Sequence, residues 1–297
     1  MNKTVVCFGE TLWDVLPTGR QPGGAPFNVA VQLHQLSQPV QLISRVGSDD
    51  LGRELLAFLA ARGLSTAYVQ RSHTHLTGVV KANVDNRNEV TYKIVQPVAW
   101  DYIQFEDALH QLVAGAAGLV FGSLAARTET TRATLHRLLP AARFKVFDVN
   151  LRPPHYTREE VEYLLGQSNL VKVNEHELAE ILGWYGRGPA PDEASLAWLA
   201  QHFHLQAVCV TLGAEGAVLW HEGQRYRSPG LVVAVQDTIG SGDAFLAALL
   251  TSWLAGEAPA QCLRFACAAG ALVATYQGAT PVLTRAQVAK FMAEQPA

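Results

Sequence analysis

Short runs of apolar, often β-branched residues alternate along the chain with longer segments in which apolar residues recur every three or four positions. The first pattern is typical of buried strands and the second of amphipathic helices. The predicted strands are 4–8, 40–46, 118–121, 144–149, 170–173 and 207–212, and the predicted helices are 26–36, 51–62, 128–139, 175–182 and 193–202, with further helices after 240. This alternation predicts a three-layer α/β/α sandwich whose ligands bind beyond the carboxyl ends of the strands.

One segment departs from this alternation. Residues 77–84 and 89–95 form two strand-like runs joined by the turn-rich tetrad 85–88, which predicts a β-hairpin. The pattern leaves open whether the hairpin at 77–95 is a lid, a homodimer contact or a plain extension of the sheet. No linker or internal repeat interrupts the rest, so residues 1–297 are predicted to form a single domain.

Composition narrows the classes of partner. The chain has 297 residues, 49% of them hydrophobic, and a net charge of −3 with acidic and basic residues intermixed. The sequence therefore has no cluster of positive charge that would bind nucleic acid or an anionic membrane, which favours a small-molecule partner. The four cysteines lack the paired spacing of a zinc site, and no apolar stretch has the length of a membrane span or a signal-peptide core. We therefore expect a cytoplasmic protein with reduced thiols.

The segment 237–243 reads DTIGSGD and leads directly into an apolar helix. A Gly/Ser turn at a helix start presents unpaired amides together with the positive end of the helix dipole, which suits a transferring phosphoryl group. Asp243 adds a carboxylate at the same place. Taken alone, Asp243 is better explained as the N-cap of that helix.

The segment 23–30 reads GGAPFNVA and begins another helix. Pro26 suits the first helical turn, and the adjacent Gly23 and Gly24 permit a close approach of the backbone to a ligand. Asn28, one turn into the helix, offers both a donor and an acceptor to hydroxyl groups. Alone, this segment is also explained as a plain turn and cap.

Together, the two segments resemble the two signatures of the ribokinase-like (phosphofructokinase-B type) carbohydrate kinases, in the same order and at similar spacing, and the likeness covers essentially the whole chain. The resemblance implies an ATP-dependent sugar kinase. It also implies that Asp243 is the catalytic base and that the backbone amides of Gly240, Ser241 and Gly242 form an anion hole. Ser241 stands where alanine is commoner, which a backbone role tolerates.

The resemblance assigns further residues to the nucleotide and its ions. The Asn-x-x-Glu spacing of Asn174 and Glu177 resembles the motif that links magnesium, its waters and phosphate, although the same pair also forms a capping box. The remaining nucleotide-binding positions that the family likeness implies are Thr211, Gly213, Gly216 and Gly278. Asp237 corresponds to the carboxylate of a potassium site, but Val282 stands where potassium-activated relatives often offer a hydroxyl.

Asp14 matches the aspartate that binds sugar hydroxyls in the family. The resemblance implies that Gly23, Gly24 and Asn28 bind the sugar together with it. Arg152 follows a predicted strand, where its guanidinium suits a phosphate or a substrate carboxylate. The Trp13-Asp14 opening and the run 148–153 resemble fructokinases, so D-fructose and its 6-phosphate are the expected substrate and product. A 2-keto-3-deoxygluconate kinase, a ribokinase or nucleoside kinase, and a non-catalytic sugar-binding protein of kinase descent remain the alternatives.

Overall fold

A computed structural model of the chain describes residues 3–16, 19–84 and 90–294. Its centre is a nine-stranded sheet. Numbered in chain order, the strands of this sheet are β1 (Val5–Phe8), β4 (Val40–Gly47), β5 (Val69–Ser72), β8 (Gly118–Gly122), β9 (Lys145–Asp148), β10 (Leu170–Asn174), β11 (Ala207–Thr211), β12 (Ala217–His221) and β13 (Gln224–Ser228). They lie in the order β13-β12-β11-β10-β9-β8-β1-β4-β5, and only β12 runs against its neighbours.

Helices cover both faces of this sheet, because its central strands are apolar on both sides. In β1, Val5 and Cys7 belong to one core, whereas Val6 and Phe8 belong to the other. The helices of the first core are α1 (Ala25–Gln35), α2 (Asp50–Ala61), α8 (Ser241–Leu254), α9 (Pro259–Val273) and α10 (Arg285–Glu294). The helices of the second are α3 (Asp107–Gly115), α4 (Glu129–Leu138), α5 (Arg158–Gln167), α6 (Glu175–Gly183) and α7 (Glu193–His202). The predicted three-layer sandwich is confirmed.

A second sheet, with four strands, stands apart from the first. Its strands are β2 (Leu12–Leu16), β3 (Gly19–Gly23), β6 (Gly78–Val84) and β7 (Val90–Ile94), in the order β3-β2-β6-β7. The predicted pairing of β6 with β7 is confirmed, while the turn tetrad 85–88 lies outside the described residues. Strands β2 and β3 were not predicted, so the hairpin is one half of a larger sheet.

Within the described part of the chain, no helix combines the length and the apolar character needed to cross a membrane. All four cysteines are buried as free thiols, as predicted.

Candidate active site

The carboxyl ends of the parallel strands bring the predicted site residues to one edge of the nine-stranded sheet. Glu10 follows β1, Asp148 ends β9, and Asn174 and Thr211 end the adjacent strands β10 and β11. Asn174 and Thr211 are direct partners in the β10–β11 register. Side chains far apart in the sequence therefore meet where doubly wound sheets bind ligands.

Asp243 lies in the first turn of α8 and faces α1. Its Oδ2 atom accepts a hydrogen bond of 2.8 Å from Nδ2 of Asn28, 215 residues away in the sequence. The N-cap of α8 is Gly240, and no side chain caps this helix. The capping interpretation of Asp243 is therefore wrong, because the left-handed backbone of Gly240 starts the helix earlier than the apolar pattern indicated.

The surroundings of Asp243 disfavour its charged form. Removal from water raises the pKa of Asp243 to about 6, and the nearby carboxylate of Asp148 acts in the same direction. The hydrogen bond from Asn28 and the positive charges of Lys172 and Arg152 act against this rise. A carboxyl with a pKa of about 6 is ionised at neutral pH and basic enough to accept a proton from a positioned hydroxyl.

The start of α8 carries free donors beside this carboxylate. The amides of Gly242 and Asp243 have no acceptor among the residues that the structure describes. The amide of Ser241, by contrast, donates to the carbonyl of Thr238 at 3.2 Å. Of the three amides predicted to form the anion hole, those of Gly240 and Gly242 therefore have no acceptor among the described residues, whereas that of Ser241 already has a partner.

A buried ion pair that the sequence interpretation did not include borders this helix start. Nζ of Lys172 donates to Oδ1 of Asp148 at 2.8 Å, and a Cβ placed on Gly242 would lie 3.4 Å from that Nζ. Burial alone would lower the pKa of Lys172, but the carboxylates of Asp148, Glu177 and Asp243 outweigh it and raise the pKa. The sequence signal for this residue is a lysine within the apolar run of β10.

Of the predicted sugar residues, Asn28 contacts Asp243, whereas Asp14 and Gly23 belong to the second sheet. A Cβ on Gly23 would lie 2.2 Å from Oδ2 of Asp14, so a larger residue there would displace that carboxylate. Burial raises the pKa of Asp14 to about 6, and the positive charge of Arg152 opposes this shift. Gly24 has a φ of +110°, and a Cβ there would lie 2.5 Å from the carbonyl oxygen of Glu10.

Asn174 and Glu177 form the predicted capping box at the start of α6. Oδ1 of Asn174 accepts from the amide of Glu177, and Oε2 of Glu177 accepts from the amide of Asn174, both at 2.9 Å. Oε1 of Glu177 accepts from the amide of Leu151 at 3.0 Å, which fixes the loop before Arg152. The capping interpretation is confirmed, and each oxygen of the buried Glu177 carboxylate accepts one backbone amide.

The described residues contain no group of three or more His, Cys, Asp or Glu side chains arranged to hold a metal ion. Mg²⁺ is commonly held by one or two carboxylates, water and substrate phosphates, and not by a cage of protein side chains. Glu177, with Asn174 beside it, fits that kind of site because it can meet the water shell of a nucleotide-bound ion.

Asp237 ties two loops together. Its Oδ1 accepts from the amide of Ile239 at 3.0 Å and its Oδ2 from the amide of Gly278 at 3.1 Å. Val282, which offers no oxygen from its side chain, is 65% exposed. Each carboxylate oxygen keeps a further lone pair for a cation, whereas Val282 removes one hydroxyl ligand from the potassium site that was expected here.

The predicted nucleotide turn is the connection between β11 and β12. Oγ1 of Thr211 donates to the carbonyl of Val173 at 3.4 Å. Gly216 has a φ of +95°, and a Cβ there would lie 2.1 Å from the carbonyl oxygen of Ser228. Close packing of the backbone therefore requires glycine at this position. Gly213 has a φ of +55° with open space beside it, which leaves its backbone accessible.

Comparison with known proteins places this geometry in a family. The model of the pfkB family carbohydrate kinases matches residues 3–285. The chain is 32% identical to a fructokinase of Klebsiella pneumoniae over 95% of this chain and 97% of the relative, and 30% identical to a fructokinase of Escherichia coli over 84% of each.

Among solved structures, a fructokinase from Xylella fastidiosa with bound ATP superposes with a TM-score of 0.87 at 25% identity, covering 99% of both chains. A Vibrio cholerae fructokinase bound to fructose, ADP and calcium, at 24% identity and a TM-score of 0.81, supports the fold alone. The family model spans nearly the whole chain and both signature segments within it. This protein belongs to the pfkB family of carbohydrate kinases.

Proposed function

We propose that this protein is a fructokinase that transfers the γ-phosphoryl group of ATP to D-fructose, giving fructose 6-phosphate and ADP. The observation that carries the proposal is the Asp243 carboxylate, held by Asn28 at 2.8 Å beside the free amides at the start of α8. An anion-binding helix start next to a basic carboxylate is the pairing that hydroxyl phosphorylation requires. The fructokinases among the relatives support fructose as the sugar.

The predicted sugar residues suit a polyhydroxy substrate. Asp14 and Asn28 offer acceptors and a donor for sugar hydroxyls, and Gly23 and Gly24 let the backbone approach the ring. With the sugar in place, Asp243 takes the proton of the attacking hydroxyl, whose oxygen forms the new bond to the γ-phosphorus. The bond from that phosphorus to the bridging oxygen breaks, and ADP leaves with the electron pair.

Charge neutralisation is the other half of the reaction. The amides of Gly242 and Asp243 receive the transferring group, and Lys172 and Arg152 add positive charge nearby. Bound Mg²⁺ would neutralise the nucleotide phosphates, with Glu177 at its water shell. The nucleotide would lie along Thr211, Gly213, Gly216 and Gly278, and no step depends on potassium. The second sheet would close over the sugar as a lid, with a dimer contact as the alternative use of the hairpin.

The decisive experiment compares Asp243→Asn with Asp192→Asn, because Asp192 is a true N-cap, accepting from the amide of Ser195 at 2.8 Å at the start of α7. Asp243→Asn should lower kcat by about 10²–10⁴-fold, since an amide cannot take the hydroxyl proton. Asp192→Asn should leave kcat within about twofold, because Asn and Asp cap equally well. Fructose affinity and Tm are measured on the same preparations, and a folded Asp243→Asn within tenfold of wild type would refute the base assignment.

Arg152 carries the one alternative that a specific observation favours. It is exposed, and its charge acts on both Asp14 and Asp243. A guanidinium at that point would also pair with the carboxylate of a sugar acid. Specificity constants for fructose, ribose, adenosine and 2-keto-3-deoxygluconate, with NMR of the products, test the choice, and a higher value for the sugar acid would overturn fructose.

A further inference from the structure

Glu10 is a buried carboxylate that the phosphoryl-transfer scheme leaves without a role. It stands directly after β1 and Gly9, and only 3% of it is exposed. Its Oε1 accepts from the amide of Ala25, the first residue of α1, at 3.1 Å. The other oxygen, Oε2, is buried and has no hydrogen-bond partner among the residues that the structure describes.

The start of α1 depends on this contact because it has no cap of its own. The N-cap is Gly24, which has no side chain to offer, and the first turn contains no acidic residue. Glu10 supplies that acceptor from another strand and adds negative charge at the positive end of the helix dipole. The backbone of Gly24 packs against the Glu10 carbonyl so closely that a Cβ there would lie 2.5 Å from it.

The first turn of α1 is also the part of the helix that reaches the reacting group. Asn28 closes that turn with a 2.8 Å bond from its amide to the carbonyl of Gly24. Its side chain, in a residue only 5% exposed, then donates to Asp243. The path from Glu10 to Asp243 thus runs through one rigid helical turn and two hydrogen bonds.

We propose that Glu10 is a positioning residue for phosphoryl transfer: by holding the amino end of α1, it keeps Asn28 in the orientation that hydrogen-bonds Asp243. The inference rests on the proposed function, because it assigns Asp243 the role of base. Burial raises the pKa of Glu10 to about 7, with Asp243 acting in the same direction and Arg152 against it.

The test is a double-mutant cycle between Glu10→Ala and Asn28→Ala, with kcat, fructose affinity by calorimetry and Tm measured for each variant. Glu10→Ala alone should lower kcat by about 10–100-fold, whereas in the Asn28→Ala background it should cost less than about threefold more. Glu10→Gln, which keeps an acceptor for the Ala25 amide, should recover at least about tenfold of the loss.

A cap variant elsewhere controls for stability. Asp192→Ala removes the cap of α7 and should lower Tm while leaving kcat within about twofold. Equal losses from Glu10→Ala with and without Asn28 would overturn the proposal, as would a Glu10→Gln no better than Glu10→Ala. A fully active Asp243→Asn would instead refute the base assignment, and the same cycle scored as fructose affinity would still decide whether Glu10 acts through Asn28.

Discussion

Two buried ion pairs, Asp148–Lys172 and Asp101–Arg127, have the same chemistry and different surroundings. Nε and Nη2 of Arg127 bond the two oxygens of Asp101 at 2.7 and 2.8 Å, and the guanidinium lies 3.8 Å from the centre of the Trp100 ring. Lys172 makes one bond to Asp148 and lies among further carboxylates.

The neighbours of each pair indicate its use. Nη2 of Arg127 also donates to the carbonyl of Val95, just after β7, at 2.9 Å. That pair therefore joins the second sheet to the start of α4, although Nη1 of Arg127 is buried without a hydrogen-bond partner among the described residues. Lys172 has one protein partner and a place beside the start of α8, so it has donor capacity left for a phosphate. The location of each pair therefore separates the two: the Asp148 pair borders a helix start with free amides, whereas the Asp101 pair links two elements of the fold.

The largest expected effect is a difference in kcat between variants of the two ion pairs. Lys172→Met should lower kcat by about 10²–10³-fold, because it removes a fixed positive charge from the developing phosphoryl transition state. Arg127→Met, assayed well below its own Tm, should keep kcat within about threefold. Steady-state kinetics with saturating fructose and ATP checks both variants, and equal losses in kcat would erase the distinction.

The second effect separates the pairs by stability. Arg127→Met leaves Asp101 buried and unpaired and should lower the free energy of unfolding by about 3–5 kcal/mol. Lys172→Met should cost less, because it breaks one hydrogen bond instead of three. Urea unfolding at constant pH measures both values. A smaller loss for Arg127→Met than for Lys172→Met would contradict the structural role of the Asp101 pair.

A third effect appears in the pH dependence. Because Asp243 must be ionised to act as a base and its pKa is raised to about 6, kcat/KM for fructose should fall as the pH drops through about 6. The charge of Asp148 raises that pKa, so Asp148→Asn should move the acid limb to lower pH. Asp101→Asn should leave it in place. A limb that shifts equally in both variants would show that Asp148 has no special coupling to Asp243.

The stabilising contribution of the buried carboxyls should fall as the pH rises, whereas that of a carboxylate with a lowered pKa rises with pH. The folded-state pKa of Asp243, Asp14 and Glu10 lies above the ordinary value, so the folded state holds more protons than the unfolded chain. Their contribution to the free energy of unfolding is therefore greatest below about pH 4 and declines as the pH rises to about 7. Removing these carboxylates one at a time should flatten that decline in Tm measurements.

The smallest expected effect concerns the monovalent cation. Val282 supplies no side-chain oxygen to the expected potassium site, so replacing potassium by sodium at constant ionic strength should change kcat by less than about twofold. A loss greater than tenfold in sodium would contradict the assigned geometry. Lys172→Met should show the same indifference to the cation.

The elements that the sequence predicted correctly are those with a strong local signal. Every predicted helix and strand up to residue 212, including both hairpin strands, is present to within one residue at either end. Outside the hairpin, the reason is that these segments are buried on one face or on both sides. Strands β2 and β3 were missed because they carry Asp14, Gly19 and Pro22, residues that local preference places in turns. Pro22 is tolerated because β3 is an edge strand.

The sequence pointed to candidate site residues only where they belong to a recognisable motif. It did not point to residues that reach the site only through contacts between distant segments. Glu10 and Lys172 gain their surroundings from contacts with α1 and β9, which no local pattern contains. The true start of α8 was also hidden, since it depends on Gly240 packing against Ala279, where a Cβ would lie 2.3 Å from the carbonyl. Lysine within an apolar strand is the signal that would have directed attention to the Asp148 pair.

Asp14 belongs to the second sheet, whereas Asn28 and Asp243 belong to the nine-stranded body. A sugar that contacts all three therefore bridges the two sheets, and its binding energy would favour the arrangement in which all three contacts form. A water molecule is too small to contact all three groups at once. We therefore expect little hydrolysis of ATP without the sugar, because the acceptor is needed to complete the site.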